Sequence, residues 1–207
     1  MIGKKGFTLI EMLVVIGIIG ILIAAGIGAF SRMTRTAERQ RCQELVANTA
    51  TALAALFNEN GSWPKALLAN GGARDGELDE RAAYPLAKGG YMTLSSDSGA
   101  GRLTGYDKFG VVSPWAQALI KAKGTSAALS SKVPGGGTIK DHILHYALDV
   151  DGDGIIDGAS VGGESINVRA TVIVWAAGQD GKIEPYRRGL KSDDVYSWTY
   201  GQTQHVK

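Results

Sequence analysis

Cysteine is nearly absent: Cys42 is the single one in 207 residues. No intrachain disulfide is possible, and no cysteine-built zinc site can form. An exported protein of this kind needs another way to hold long loops, and a metal ion is one candidate. Proline is scarce and uneven, with all five at Pro64 or beyond, so nothing before that point interrupts a helix. A dominant charge is also missing. Lysine and arginine total 22 against 20 acids, a formal +2, far from the strongly basic surface expected of a nucleic-acid binder. Catalytic signatures are absent too. There is no Gly-x-Ser-x-Gly elbow, and the Pro-Gly-Gly-Gly-Thr-Ile-Lys stretch at 134–140 lacks phosphate-loop spacing. His142 and His145 lie three apart around a predicted strand, where they face opposite sides, and read as structural. No enzyme is expected.

What is present is unevenly distributed. Hydrophobic residues make up 44% and charged residues 20%, close to an ordinary soluble protein, which excludes wholesale disorder and a multi-pass membrane protein. Glycine, at 29 residues, is about twice its usual ~7% share and implies extensive turns and loops. Residues 12–30 carry no charged or strongly polar side chain, and about 20 apolar residues suffice to span a bilayer. Three readings fit this run: a secretory signal cut near Ala24-Ala25-Gly26, a plain single-pass anchor, or an anchor that also assembles. Glu11 argues against the first two, because an acid in a membrane segment is costly and generally implies a partner.

The residues Gly3-Lys4-Lys5-Gly6-Phe7-Thr8-Leu9-Ile10-Glu11-Met12-Leu13-Val14-Val15-Ile16 resemble the prepilin leader and first turns of type IV pilins and type II secretion pseudopilins. The resemblance implies a basic leader cut after Gly6, N-methylation of the new first residue Phe7, and pairing of Glu11 with the N-terminal amine of a neighbouring subunit. A matched buried pair removes much of the cost that each charge carries alone, and it would fix axial register as a single polar residue does in a coiled coil. Lys4 and Lys5 precede the span while Arg32, Arg35, Arg39 and Arg41 follow it. Charge alone therefore does not orient the chain; the leader motif places the head outside. The arginines then meet lipid phosphates or acids on neighbouring subunits.

Beyond residue 30 the apolar run passes into an amphipathic stretch, 31–58, with Leu45, Thr49, Leu53, Leu56 and Phe57 near a 3/4 spacing. One helix over 7–58 would measure roughly 75–80 Å. Gly26 and Gly28 are its weak points, or sites of close helix packing. Asn60-Gly61 and Trp63-Pro64 end it. Short helices are expected at 66–69, 77–83 and 115–123, a loop at 125–138, and strands at 143–148, 167–176 and 196–200. Val172, Val174 and Ala176 alternate with Thr171, Ile173 and Trp175, so the second strand reads as central and covered on both faces. The resemblance implies an α+β, pilin-like fold: leader 1–6, transmembrane or filament-core helix 7–30, amphipathic helix 31–58, and a periplasmic β-sheet head 59–207.

Two acidic loops are candidate calcium sites. Asp149, Asp151, Asp153 and Asp157, with Gly154, match positions 1, 3, 5, 9 and 6 of an EF-hand-type loop. Position 12 is Ser160, and Glu164 lies too far along to replace the usual glutamate. The alternative is a solvated acidic turn. The second loop, residues 175–182 followed by 191–198, resembles the C-terminal loop of the major secretion pseudopilin, where aspartates and backbone carbonyls hold calcium. The matching residues here are Asp180 with Asp193 or Asp194; the basic stretch Tyr186-Arg187-Arg188-Gly189 departs from that pattern. Trp63, Trp115, Trp175 and Trp198 read as core or subunit contacts and Cys42 as a packing residue. The resemblance implies a bacterial inner-membrane subunit with these partners: its own copies, other pseudopilins, an inner-membrane assembly platform, prepilin peptidase and membrane lipid, but no nucleic acid. A type II secretion pseudopilus is the favoured reading. A type IV pilin for adhesion, motility or DNA uptake is the alternative, and an anchored periplasmic calcium-binding enzyme the remote one.

Overall fold

The stretch before Pro64, free of proline and rich in Leu, Ile and Ala, favours one uninterrupted helix. The computed structural model describes residues 9–69, 71–92, 108–187 and 192–205, with the side chains of 24–32, 200, 204 and 205 outside that description. Helix α1 runs Leu9–Asn60. It ends where the sequence expects, with Gly61 at φ +66° and its N–H donating to the Phe57 carbonyl at 2.7 Å, a left-handed stop that glycine adopts without strain. The chain divides into two units, Met1–Glu38 and Arg39–Lys207. In the first, side chains from Leu9 to Ile23 are exposed and largely aliphatic. No helix is long and apolar enough to cross a membrane among the described residues; the distal part of the apolar run, from residue 24, lies outside the described side chains, as do the glycines at 26 and 28.

In the second unit the stripe read from the sequence is the buried face of α1. Thr49, Leu53 and Leu56 are buried, Leu45 and Phe57 half-buried, and Cys42, Val46 and Ala52 extend the face. Helices α2 (Lys65–Ala69), α3 (Glu80–Lys88) and α4 (Pro114–Lys123) pack on the same core. Asp79 caps α3 by accepting N–H bonds from Arg81 and Ala82 at 3.0 and 2.9 Å. The helix expected at 77–83 thus starts at Glu80, because the preceding Gly76–Glu77 is drawn into strand β1.

Strands β2 (His145–Leu148), β3 (Ile156–Val161), β4 (Glu164–Val168), β5 (Val172–Ala176), β6 (Val195–Tyr196) and β7 (Thr203–His205) complete the fold. They form two antiparallel sheets, β1-β2-β5-β6 and β3-β4-β7. The first sheet is covered twice. Tyr146, Leu148, Val174 and Ala176 join the core around α1, whereas Ala147, Ile173 and Trp175 pack with Ile156, Val161, Ile166 and Val168 of the second sheet. The central-strand reading of 171–176 is therefore correct. Other boundaries differ. The single strand expected at 167–176 is two, β4 and β5, which belong to different sheets and are separated by Arg169–Thr171. The strand expected at 196–200 shrinks to Val195–Tyr196 and gives way to a 3-10 turn at Tyr200–Gln202. Strands β3 and β7 were not expected; short polar strands have weak period-2 signals.

Leu78 stitches the layers, donating to the Leu144 carbonyl and accepting from the Val111 N–H, both at 2.8 Å. Gly110 sits beside this stitch at φ +85°, where a Cβ would collide with the Leu78 carbonyl oxygen and the Asp79 backbone. Gly110→Ala is expected to lower stability by roughly 2 kcal/mol or more, read as a drop in the thermal midpoint of the detergent-solubilised protein; an unchanged midpoint would show that the backbone there relaxes freely.

Candidate functional site

The loop between β2 and β3 brings three of its four candidate ligands together. One carboxylate oxygen each from Asp149, Asp151 and Asp153 lies within 4.8 Å of the others. Asp149 is buried and the other two are exposed. Its position is set from both sides: the Trp63 indole donates to its carbonyl at 2.6 Å, and its own N–H donates to Thr171 at 2.9 Å. Its two carboxylate oxygens accept N–H bonds from Gly152 and Gly154 at 2.7 and 2.9 Å. Both glycines have positive φ, 78° and 83°, which is what lets the loop curl around the first aspartate. Asp153 accepts from Ile155 N–H at 2.8 Å.

The rest of the EF-hand comparison does not carry over. Asp157 is exposed on β3, outside the converging group. Ser160, at position 12, is paired with Ser165 and donates its N–H to Arg74. Glu164 is taken up by Arg187. Strand β3 begins at Ile156, so pairing with β4 pulls the second half of the loop away from the first. What remains is an all-oxygen group of the kind a hard divalent cation accepts. A calcium ion takes about 6–8 oxygens, so backbone carbonyls and water must supply the others.

The second loop is organised differently. Asp194, 4% exposed, accepts from Gly178 N–H at 3.0 Å, Glu184 N–H at 2.8 Å and the Tyr196 hydroxyl at 2.9 Å. Asp193 accepts from Gln179 N–H at 2.8 Å, and Asp180 from Lys182 N–H at 2.9 Å. These carboxylates close the loop on its own backbone; Asp180, Asp193 and Asp194 do not form a converging ligand group like the first one among the described residues. Burial raises the Asp194 carboxyl above its ordinary range against the pull of those hydrogen bonds, and burial together with the Asp194 charge raises the Tyr196 phenol. Arg39 reaches the Ser192 carbonyl at 3.4 Å, tying the loop to α1 beside Cys42. Cys42 is fully buried, and burial pushes its thiol up to about 12, so it is the inert packing residue expected.

His142 is the functional-looking residue whose role the sequence left generic. Its Nε2 lies 3.1 Å from the Gly136 carbonyl, which can only accept, and its Nδ1 lies 2.9 Å from Ser113 Oγ. The neutral ring thus donates through Nε2 and accepts the Ser113 hydroxyl through Nδ1. This clips the glycine loop at 135–137 over the 179–181 turn, which it also touches directly. His145 serves elsewhere, 2.7 Å from Asp75 and stacked on Trp175. The four tryptophans are buried, as expected of core residues.

The N-terminal candidates divide. Gly6 and Phe7 lie outside the described residues. Glu11 is exposed in the first turn of α1 and lines a shallow apolar groove with Ile10, Val14 and Val15. Comparison with known proteins settles what this segment is. The family model for the prokaryotic N-terminal methylation motif matches residues 1–27. The chain carries that motif at its N-terminus. It is similar to the type IV major pilin protein PilE of Neisseria gonorrhoeae, 37% identical over 62 residues, which is 30% of this chain and 37% of that one. A fimbrial protein of Neisseria meningitidis serogroup B is 33% identical over 96 residues, 46% of this chain and 56% of the relative. The fimbrial protein EcpC of Eikenella corrodens is 34% identical over 61 residues, 30% and 40% of the two chains. The chain thus spans between about a third and just over half the length of these relatives. No solved structure matches it significantly. The long helix on an antiparallel sheet is pilin-like.

Burial lowers the His142 pKa below the ordinary 6.5, although Asp141, Asp180 and Asp193 pull it back up. A lowered histidine adds stability that is complete above the unfolded value and is lost as pH falls through the folded one. The thermal midpoint is therefore expected to fall as pH drops from 7.5 towards 5, partly offset by Asp194, whose raised pKa works in the opposite sense. His142→Asn should flatten the acid limb; an equally steep fall in that variant would assign the pH dependence to other groups.

Proposed function

We propose that this chain is a type IV pilin-type subunit: a membrane-stored monomer, cleaved after Gly6 and methylated on Phe7, that polymerises through its N-terminal helix. The observation that carries this reading is the match of residues 1–27 to the methylation motif. Residues 7–30 are the membrane and filament-core segment, 31–58 the helix continuing into the head, and 59–207 the head, held in the periplasm before assembly. Glu11 pairs with the N-terminal amine of a neighbouring copy. Prepilin peptidase and an inner-membrane assembly platform are the implied partners.

The named relatives are pilins and fimbrial proteins, which favours a pilus over the secretion pseudopilus that the sequence first suggested. The secretion reading keeps one support, a C-terminal loop closed by Asp193 and Asp194 in a chain with a lone cysteine.

Two measurements test the proposal. Intact and N-terminal peptide mass on protein from its native membrane should find a chain starting at methylated Phe7; an N-terminus near Gly26 or an uncut Met1 would end it. Glu11→Ala should insert normally but yield at least tenfold fewer sheared fibres, because removing one partner of a buried ion pair costs about 3–5 kcal/mol. Normal fibres would remove the pairing role.

We also propose calcium as the ion for Asp149, Asp151 and Asp153, where it would brace a loop that no disulfide restrains. Calorimetric titration of the full chain in detergent should find one site, weakened at least tenfold in an Asp151→Asn, Asp153→Asn double variant and unchanged in Asp193→Asn. Equal binding by all three would move the site elsewhere.

A further inference from the structure

Two surface patches of the second unit are opposite in charge, and the acidic one includes the proposed calcium loop. Residues 108–140 contain five lysines and no acid or arginine. All five lysines are exposed, and the fold gathers their segments. Lys108 donates to the Ala127 carbonyl at 3.4 Å, and Lys123 reaches Ser131 Oγ at 3.5 Å. The Lys140 N–H donates to Leu129, and Lys132 bridges to Thr138. Lys121 lines a groove with Arg41 and Glu44 of α1. Among the described residues the acids adjoining the patch include that Glu44 and Asp141, whose carboxylate is engaged by the Thr138 N–H and hydroxyl at 2.8 Å. At the centre stands Leu129, 43% exposed.

The complementary patch is the loop at 149–157, with four acids and no cation. Arg74, near Gly158, is the cation at its far edge. Its tip is Val150, 52% exposed. Leu129 and Val150 are two of only four large apolar side chains exposed in this unit, with Leu68 and Tyr84, among the described residues. Each charged patch therefore has an aliphatic centre, the arrangement of a docking surface with an apolar core and a charged rim.

The patches are offset along α1. The groove lined by Lys121 lies against Arg41–Asn48, whereas the acidic loop is bonded to Trp63, which stacks on Phe57 at 4.6 Å. From Leu45 to Phe57 is roughly 18 Å of helix at about 1.5 Å per residue. A second copy displaced along the same axis can thus bring its acidic loop onto the first copy's lysines. Two different patches joined in this way make a heterologous contact, which leaves both ends open and propagates.

We propose that the lysine patch around Leu129 of one head docks onto the acidic loop around Val150 of the next copy of this chain. The inference rests on the filament reading above and gives it a head-to-head contact separate from the N-terminal helix. It also makes the contact sensitive to salt and to any cation held by Asp149, Asp151 and Asp153.

The test uses the full chain in its native cells. Leu129→Cys and Val150→Cys, combined in one chain, should form an intermolecular disulfide ladder under mild oxidation, and neither single variant should. The natural thiol does not interfere, because Cys42 is fully buried. Adding Lys123→Glu with Lys132→Glu, or Asp151→Lys with Asp153→Lys, should cut the ladder about tenfold, and reversing both patches together should restore it. Sheared fibres recovered without a ladder would overturn the docking and leave the assembly reading intact; neither fibres nor a ladder would overturn both. Absence of a ladder together with weaker binding of the lysine variants to phosphatidylglycerol vesicles would assign the lysines to a bilayer surface and overturn the contact.

Discussion

The head is built on one surface, the buried stripe of α1 from Cys42 to Leu56. Burying a Leu or Val side chain contributes about 1.5–3 kcal/mol, and this stripe presents Val46, Leu53 and Leu56 in a row against the first sheet and the short helices. Everything that follows is placed relative to it. The sheet lies on the stripe with Tyr146, Leu148 and Val174, and its other face accepts the second sheet through Ile173 and Trp175. Without the helix face the first sheet would lose one of its two covers. A two-sided, β-branched strand such as β5 is stable only when both faces are dry.

With the layers fixed in this way, long glycine-rich connections remain to be held, and there is no disulfide to hold them. The molecule uses buried or half-buried aspartates instead. Asp149 gathers the N–H groups of Gly152 and Gly154, and Asp194 those of Gly178 and Glu184. A carboxylate bonded to backbone N–H groups is a strong, charge-assisted clamp. It also explains why glycine is frequent near these turns. A Cβ at Gly178 would meet the Asp193 carboxylate and push it from the place where it accepts the Gln179 N–H. The neutral ring of His142 does the same work for the 135–137 loop by bonding at both nitrogens. In this respect the acidic loops are first of all parts of the fold, and only the one that keeps its carboxylates convergent offers a group that could hold a metal among the described residues.

That distinction also separates the two candidate sites, which look equally acidic on paper. In the 149–153 loop the chain curls tightly and leaves Asp151 and Asp153 facing outwards beside Asp149. In the C-terminal loop each aspartate turns towards a different backbone amide, so the negative charge is consumed internally.

Local chemistry was enough to read a good part of this protein from its sequence. The N-terminal segment is a contiguous motif, recognisable from residue order alone. The long helix, its buried stripe and its stop at Gly61 follow from proline's absence, 3/4 spacing and a residue that tolerates positive φ. The two-faced β5 follows from unbroken apolar alternation. Tertiary structure decided the rest, because those features depend on which elements and side chains meet in space rather than on a local repeat. Whether 167–176 was one strand or two turned on which sheet each half could join, and Asp157 left its loop because β3 pairs with β4. The tautomer of His142 is set by Ser113 and Gly136, and the gathering of five lysines by a loop folded back on α4. Ser113 lies 29 residues from His142 in the chain, and even the nearer partners meet only because the surrounding layers hold them there.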